Sequence, residues 1–209
     1  MEFLRTYDPS ALAASAAATH YASGPSGAPT TCYSFDSGGA HFVFLNLYYD
    51  GSSDTGPAPS SAAAGTVSPP LYAWLEADLK AAAARSPAYL FVFGHEPLYP
   101  LPDDATGRVR HRGDSLDAHP AETEAFAELL RDYGVTAYIC GHTHDYSSAL
   151  VDRILQVEAG RAAGLGEVGA PSSFLRVRLY DAFAEIEAYR SSDGTNYLLK
   201  DRVRIRPRP

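Results

Sequence analysis

Residues 138–146 read YICGHTHDY, and the rest of the chain is organised around them. A short apolar run, Ala137–Cys140, stops at Gly141 and delivers His142 and His144 at a spacing of two. Such a run reads as a buried strand, and a glycine at its end marks a sharp turn or a close approach of backbone. In an extended segment, residues two apart face one side, so both rings reach one point or two adjacent points. Neutral imidazole is the commonest protein ligand for zinc, iron and related ions, which makes the pair a candidate metal site.

A His-x-His pair alone is common and usually binds nothing. A second stretch of the same construction gives this one weight: residues 89–99, YLFVFGHEPLY, run apolar into Gly94 and then His95. Two buried strands that both end in Gly-His place three imidazoles on one rim of a sheet, where the ligands of open sheets collect. His95, His142 and His144 are therefore the expected metal ligands.

FGHEPLY (93–99) followed by CGHTHDY (140–146) resembles the second half of the calcineurin-like metallophosphoesterases, the superfamily that includes purple acid phosphatases and phosphodiesterases. Residues 33–50 are similar to the strand pair before the family's first Gly-His, 71–84 to its intervening helix and 173–194 to its closing hairpin. The match runs over about 31–205. It implies an α/β (α+β) fold, a partial metallophosphoesterase-like β-sandwich of mixed sheets flanked by helices. It also implies hydrolysis of phosphomono- or phosphodiesters by metal-activated water. In the family the residues matching His95 and His142 bind one metal, and the residue matching His144 binds the other.

The family completes its site from its first half, with an Asp-x-His, a Gly-Asp-x-x-Asp that carries the bridging carboxylate, and a Gly-Asn-His-Asp/Glu. None of these precedes Tyr33, so the chain resembles a C-terminal half. Without the bridging carboxylate, repulsion between two cations disfavours double occupancy. One divalent transition ion is expected: zinc, manganese or iron. Three imidazoles with an open fourth position is itself a hydrolytic geometry. Two alternatives stay open, a noncatalytic remnant and one half of a split enzyme completed by a partner chain.

Residues 1–30 are rich in small side chains, and 31–209 read as a single domain. A short helix from residue 9 to about residue 20 and then a Gly/Pro/Ser loop is the expectation for the first segment. Asp8 and Pro9 interrupt any signal peptide, so the chain is cytoplasmic if Met1 is the natural start. Tyr33 and Phe35, then Phe42, Phe44 and Leu45, flank Ser37-Gly38-Gly39 as a hairpin, and His41 within it reads as structural. Residues 50–68 form a Gly/Ser/Pro/Ala loop. Ser68-Pro69-Pro70 then opens a helix with Ser68 as N-cap, and Leu71, Trp74, Leu75, Leu79 and Ala82 recur at helical spacing. A second helix begins at Pro120 and carries Phe126, Leu129, Leu130 and Tyr133. Beyond a Gly-rich stretch at 160–169, Leu175, Val177 and Leu179 alternate with polar residues, as do Ile186 and Ala188, which predicts antiparallel sheet.

The loop 96–119 contains RHRGDSLDAHP (110–120), which holds both a Gly-Asp-x-x-Asp and an Asp-x-His. These overlap in a polar loop instead of following buried strands, so the family roles are not carried over. One reading is structural: residues 117–119 cap the helix at Pro120, whose Glu122 and Glu124 suit the positive end of its dipole. The other is functional: the loop overhangs the histidines, Arg110, His111, Arg112, Asp114 and Asp117 meet substrate, and an Asp replaces a lost ligand.

With 209 residues, 45% hydrophobic and 20% charged, the chain has room for one globular domain with a core. A net charge of -8 argues against nucleic-acid backbone as a partner, and no basic run suggests a membrane surface. No apolar stretch approaches the roughly 20 residues of a spanning helix. The expected partner is a small phosphate ester, drawn by a bound cation. Cys32 and Cys140 make no disulfide framework; Cys140 packs as a small apolar residue or offers a soft fourth ligand. Half of a two-sheet sandwich leaves strand edges and an apolar face to cover, and a homodimer that buries this face is expected.

Overall fold

The computed structural model describes residues 9–52, 65–162 and 171–208. In chain order its strands are β1 (Thr19–Ser23), β2 (Tyr33–Ser37), β3 (Ala40–Phe44), β4 (Tyr89–Phe93), β5 (Ala137–Cys140), β6 (Tyr146–Val151), β7 (Ile154–Ala159), β8 (Ser172–Leu179), β9 (Ala184–Ser191) and β10 (Leu198–Ile205). Helix α1 (Pro69–Ala83) joins β3 to β4, and α2 (Pro120–Asp132) joins β4 to β5. Most of the loop expected over 50–68 and of the Gly-rich stretch at 160–169 lies outside the described residues.

Seven strands form a mixed sheet in the order β1-β2-β3-β4-β5-β7-β6, with β3, β4, β5 and β7 mutually parallel and both margins antiparallel. Parallel strands need a crossover, which α1 and α2 supply on one face. The other face is covered by a three-stranded antiparallel sheet, β10-β9-β8.

Two cores follow from the period-two alternation of β4. Leu90 and Val92 meet Leu71, Leu75 and Leu79 of α1 and Phe126 and Leu130 of α2 in one cluster. Tyr89 and Phe91 join Ala184, Ile186 and Ala188 of β9 in the other. Burial on both faces is why Tyr89–Phe93 is a continuous apolar run, as strands sandwiched between layers are.

The β2–β3 hairpin closes on Gly38 and Gly39, with Ser37 paired to Ala40 and both φ positive, at 57° and 79°. A two-residue turn of that kind matches the twist of its strands and favours glycine at both positions. The N-cap expected of Ser68 is not made by its side chain, although Pro69 and Pro70 do occupy the first turn of α1.

The helix expected over 9–20 is a short 3-10 turn, Pro9–Ala14, and Thr19–Ser23 is instead an edge strand on β2, with a register break between Thr19 and Ala22. Trp74 of α1 donates its indole N–H to Ser23 O at 2.8 Å and ties that strand down. An exposed, bulged edge carries little apolar alternation, so its sequence reads as coil.

Along one face of β1–β4, Tyr21, Tyr33, Phe44 and Phe93 stack in series at centroid distances of 6.4, 4.8 and 4.7 Å. Tyr21, Tyr33, Phe35 and Phe44 remain only half-buried. Among the described residues no helix is long and apolar enough to cross a membrane.

Candidate metal centre

The carboxyl ends of β4 and β5 lie side by side, with Phe93 paired to Ile139, and the hydrogen-bond ladder continues past both strands. Gly94 N donates to Ile139 O at 3.1 Å, and Gly141 N to His95 O at 2.9 Å. The two Gly-His steps therefore leave the sheet together. A Cβ on Gly94 would sit 2.3 Å from the Tyr138 hydroxyl, so glycine is required there by close approach. At Gly141 the nearest atom to such a Cβ is His95 O at 3.9 Å, which leaves room.

His95 Nε2 stands 3.3 Å from His142 Nδ1, and the other nitrogen of His142, Nε2, donates to the backbone carbonyl of Asp114 at 3.0 Å. An imidazole that gives one N–H to a carbonyl and turns its second nitrogen to a neighbour is oriented as metal-ligating histidines are. Burial, with the imidazoles of His142, His144 and His111 nearby, pushes the His95 pKa down to about 4. The ring is therefore neutral at ordinary pH, the form that donates a lone pair. His95 and His142 fit a divalent ion.

His144 departs from the expectation. The sequence reading takes 142–144 as extended, whereas His142 and His144 both adopt left-handed backbone, φ 64° and 60°. Thr143 N folds back onto Gly141 O at 2.7 Å. Both rings still line one cleft with His95, but not through the alternation of an extended strand. His144 Nδ1 lies 3.2 Å from Arg110 Nη1. Left-handed conformation in bulky residues stores strain and persists only where the surroundings enforce it.

The enforcing contacts come partly from residues that the sequence reading passed over. Gln156 and Glu158 of β7 are fully buried. Gln156 Oε1 accepts Leu98 N at 2.9 Å and Glu158 Oε1 accepts Leu101 N at 3.0 Å, which fixes the chain after His95. Glu158 Oε2 also accepts the Thr143 hydroxyl at 2.5 Å, from directly between the two histidines. Polar side chains at period two in an otherwise apolar strand were the available signal.

Burial pushes the Glu158 carboxyl up to about 7, against the lowering pull of Thr143, Leu101 N and Ser147. A raised carboxyl pKa means the folded chain holds a proton that the unfolded chain releases. This contribution to stability is full below the unfolded value of 4.5 and fades as pH rises toward 7. Glu158→Gln is expected to fold and to flatten that decline, measured as thermal midpoints at about pH 5 and about pH 7.5. An unchanged slope would assign the titration elsewhere.

The loop after β4 does reach the site. Arg108 Nε donates to the buried Asp145 at 2.8 Å, and Leu116 is buried in the helix-side core. Between these anchors the His111 ring lies 4.3 Å from the His142 ring, and His111 Nδ1 lies 3.2 Å from Asp114 Oδ2. Arg112 is exposed. Asp117 Oδ2 accepts Gly113 N at 2.8 Å and so braces the loop itself. His119 occupies the N-cap of α2 without a side-chain cap bond.

Cys140 Sγ lies 3.7 Å from Val157 O, buried under the strand, and its thiol pKa is raised by that burial. It packs in the sheet and is not directed at the histidines. A cleft of about 550 Å³ is lined by His95, His142, His144 and Arg161, among others. Arg161 was not singled out from sequence.

His95, His142 and His144 thus gather at the carboxyl rim of a parallel sheet with Arg110 and Arg161 close by, the place where the ligands of open sheets collect. A family model described as calcineurin-like phosphoesterase matches residues 33–146, and the chain belongs to that family, whose members use divalent metals. Purple acid phosphatases 23 and 15 of Arabidopsis thaliana are each 31% identical, over 118 and 123 residues, or 54% and 56% of this chain. The chain spans about a fifth of the length of these curated relatives, 20% and 18%.

Among solved structures, purple acid phosphatase PPD1 from yellow lupin (Lupinus luteus) seeds superposes with a TM-score of 0.52 at 15% identity, covering 84% of this chain and 32% of that one. GAP50, the anchor in the inner membrane complex of Plasmodium, gives 0.52 at 14% identity, covering 84% and 53%. At those identities the likeness establishes the fold alone.

Proposed function

We propose that this chain binds a divalent transition ion, zinc, manganese or iron, at His95 and His142 and hydrolyses small phosphate mono- or diesters. The observation that carries the reading is the facing of His95 Nε2 and His142 Nδ1 at 3.3 Å across neighbouring parallel strands, with the second nitrogen of His142 held by Asp114 O. A cation held there would polarise a phosphoryl oxygen and supply a nucleophile from water. Arg110 beside His144 and Arg161 in the same cleft bring positive charge to the oxygens of a bound ester. Guanidinium suits that task because its planar donors match phosphate geometry. The buried Gln156–Glu158 scaffold fixes the chain on either side of the imidazoles.

The test is hydrolysis of mono- and bis-nitrophenyl phosphate by untagged protein, with metal content measured alongside. Turnover is expected to be abolished by chelator, restored by the ion, and reduced roughly 10²–10³-fold in His142→Ala, the several kcal/mol that metal assistance contributes. Chelator-insensitive turnover would overturn the reading. Bound metal without turnover would favour a noncatalytic role.

A further inference from the structure

One cluster among the described residues brings imidazole and carboxylate ligand atoms together from different parts of the chain. A nitrogen of His111, a nitrogen of His142 and a carboxylate oxygen of Asp114 all lie within 4.8 Å of one another. Two imidazoles and one carboxylate form a common ligand set for catalytic divalent ions, and they leave positions open for substrate. The carboxylate matters because imidazoles alone bring no charge to offset the cation.

The arrangement is built into the loop. His111 takes a left-handed φ of 57°, its carbonyl accepts the hydroxyl of the buried Ser115 at 3.0 Å, and Asp114 N closes a turn on the same carbonyl at 3.1 Å. These contacts hold His111 and Asp114 over His142, while Asp114 O fixes the ring of His142 itself.

His144 is engaged differently. A guanidinium carries donors only and stays protonated, so Arg110 Nη1, 3.2 Å away, donates to His144 Nδ1. That nitrogen spends its lone pair on Arg110, and in a neutral ring the proton then sits on Nε2. Neither nitrogen offers a cation a lone pair, and the adjacent guanidinium repels one.

We infer that His111 and Asp114 of the loop join His142 as ligands of the bound ion, and that His144 with Arg110 forms the anion-facing side of the site. This rests on the metal binding by His95 and His142 proposed above, and it draws the remaining ligands from the loop instead of from His144 at the strand end.

Cobalt(II) chloride titrated into the full untagged chain, followed by visible absorption and by calorimetry, tests it without reference to turnover. Wild type should bind near one ion per chain. His111→Ala and Asp114→Asn should each weaken binding by about 10–100-fold or more and alter the cobalt spectrum, whereas His144→Ala should retain wild-type affinity within a few-fold. Circular dichroism verifies that each variant is folded, and Asp114→Asn preserves the shape of the loop. Loss of binding in His144→Ala, with His111→Ala and Asp114→Asn unaffected, would overturn the inference. No cobalt bound by wild type would overturn both this and the proposed function, while binding with the expected variant pattern but no hydrolysis would overturn only the latter.

Discussion

Replacing His41 by leucine is expected to lower the thermal midpoint by roughly 6–20 °C. That range corresponds to the 3–5 kcal/mol cost of stranding a buried charge, at about 2–4 °C per kcal/mol for a chain of this size. His41 is fully buried in β3 and touches two carboxylates, with Nδ1 at 2.6 Å from Asp36 and Nε2 at 2.9 Å from Asp78. Asp36 would keep Arg85, at 2.7 Å. Asp78, with 8% of its side chain exposed, would keep the Ser34 hydroxyl at 2.6 Å but no hydrogen-bonded cation among the described residues. The double change His41→Leu/Asp78→Leu should recover much of the loss, because removing both members of a buried pair costs far less than removing one.

The pH dependence carries a sign. Burial alone would depress the His41 pKa, but Asp78 and Asp36 outweigh it and the net shift is upward. The stability from its imidazolium is therefore full below the unfolded value of 6.5 and is lost as pH rises through the folded value. Asp36 runs the other way. Its burial is outweighed by Arg85 and His41, its pKa is lowered, and its contribution is lost as pH falls through a value below 3.8. Midpoints measured across pH should lose their alkaline decline in His41→Leu beyond the part that belongs to Glu158. Equal midpoints and equal slopes in variant and wild type would sink the assignment.

Where burial is two-sided, the sequence was readable. Tyr89–Phe93 and Ala137–Cys140 read as buried strands and are buried strands, and their shared Gly-His ending put His95 and His142 on one rim of the sheet, where the structure brings the two rings together. Gly38-Gly39 fixed a hairpin because few residues take positive φ twice in succession. What failed to show was set by contacts distant in the chain. The left-handed turns at His142 and His144 depend on Thr143 reaching Glu158, on a strand still to come, and a spacing of two says nothing about that. Thr19–Ser23 became a strand because β2 offered an edge and Trp74 a donor, not through its own pattern. The loop over the site was legible only as a polar segment with two readings, since its placement rests on Arg108 reaching Asp145 and on a buried ion pair formed by Asp103.

That ion pair gives the second large effect: Asp103→Ala is expected to cost about 3–5 kcal/mol, read as a shift in urea midpoint without a change in slope. Asp103 and Arg190 of β9 are 2% and 5% exposed, and Arg190 Nη2 donates to Asp103 Oδ2 at 2.7 Å. The same carboxylate accepts Tyr146 N at 2.9 Å, Ala105 N at 3.0 Å and Thr106 N at 2.9 Å. It therefore pins the start of the overhanging loop to the residue two positions after His144. Alanine would leave the Arg190 guanidinium buried without its counter-charge and orphan the Tyr146 amide as well. Asp103→Asn keeps an acceptor for the amides and should cost less than Ala, which separates the geometric share from the ionic share. The Asp103 pKa is lowered, with Arg190 outweighing burial, so the contribution is present above 3.8 and lost as pH falls through the folded value. If the loop owes its place over His142 to this anchor, limited proteolysis near residues 107–113 should accelerate in Asp103→Ala at temperatures where the protein remains folded. Unchanged cleavage, with the full loss of stability, would mean that Leu116 and the Arg108–Asp145 contact hold the loop without help and that Asp103 serves only to join the two sheets.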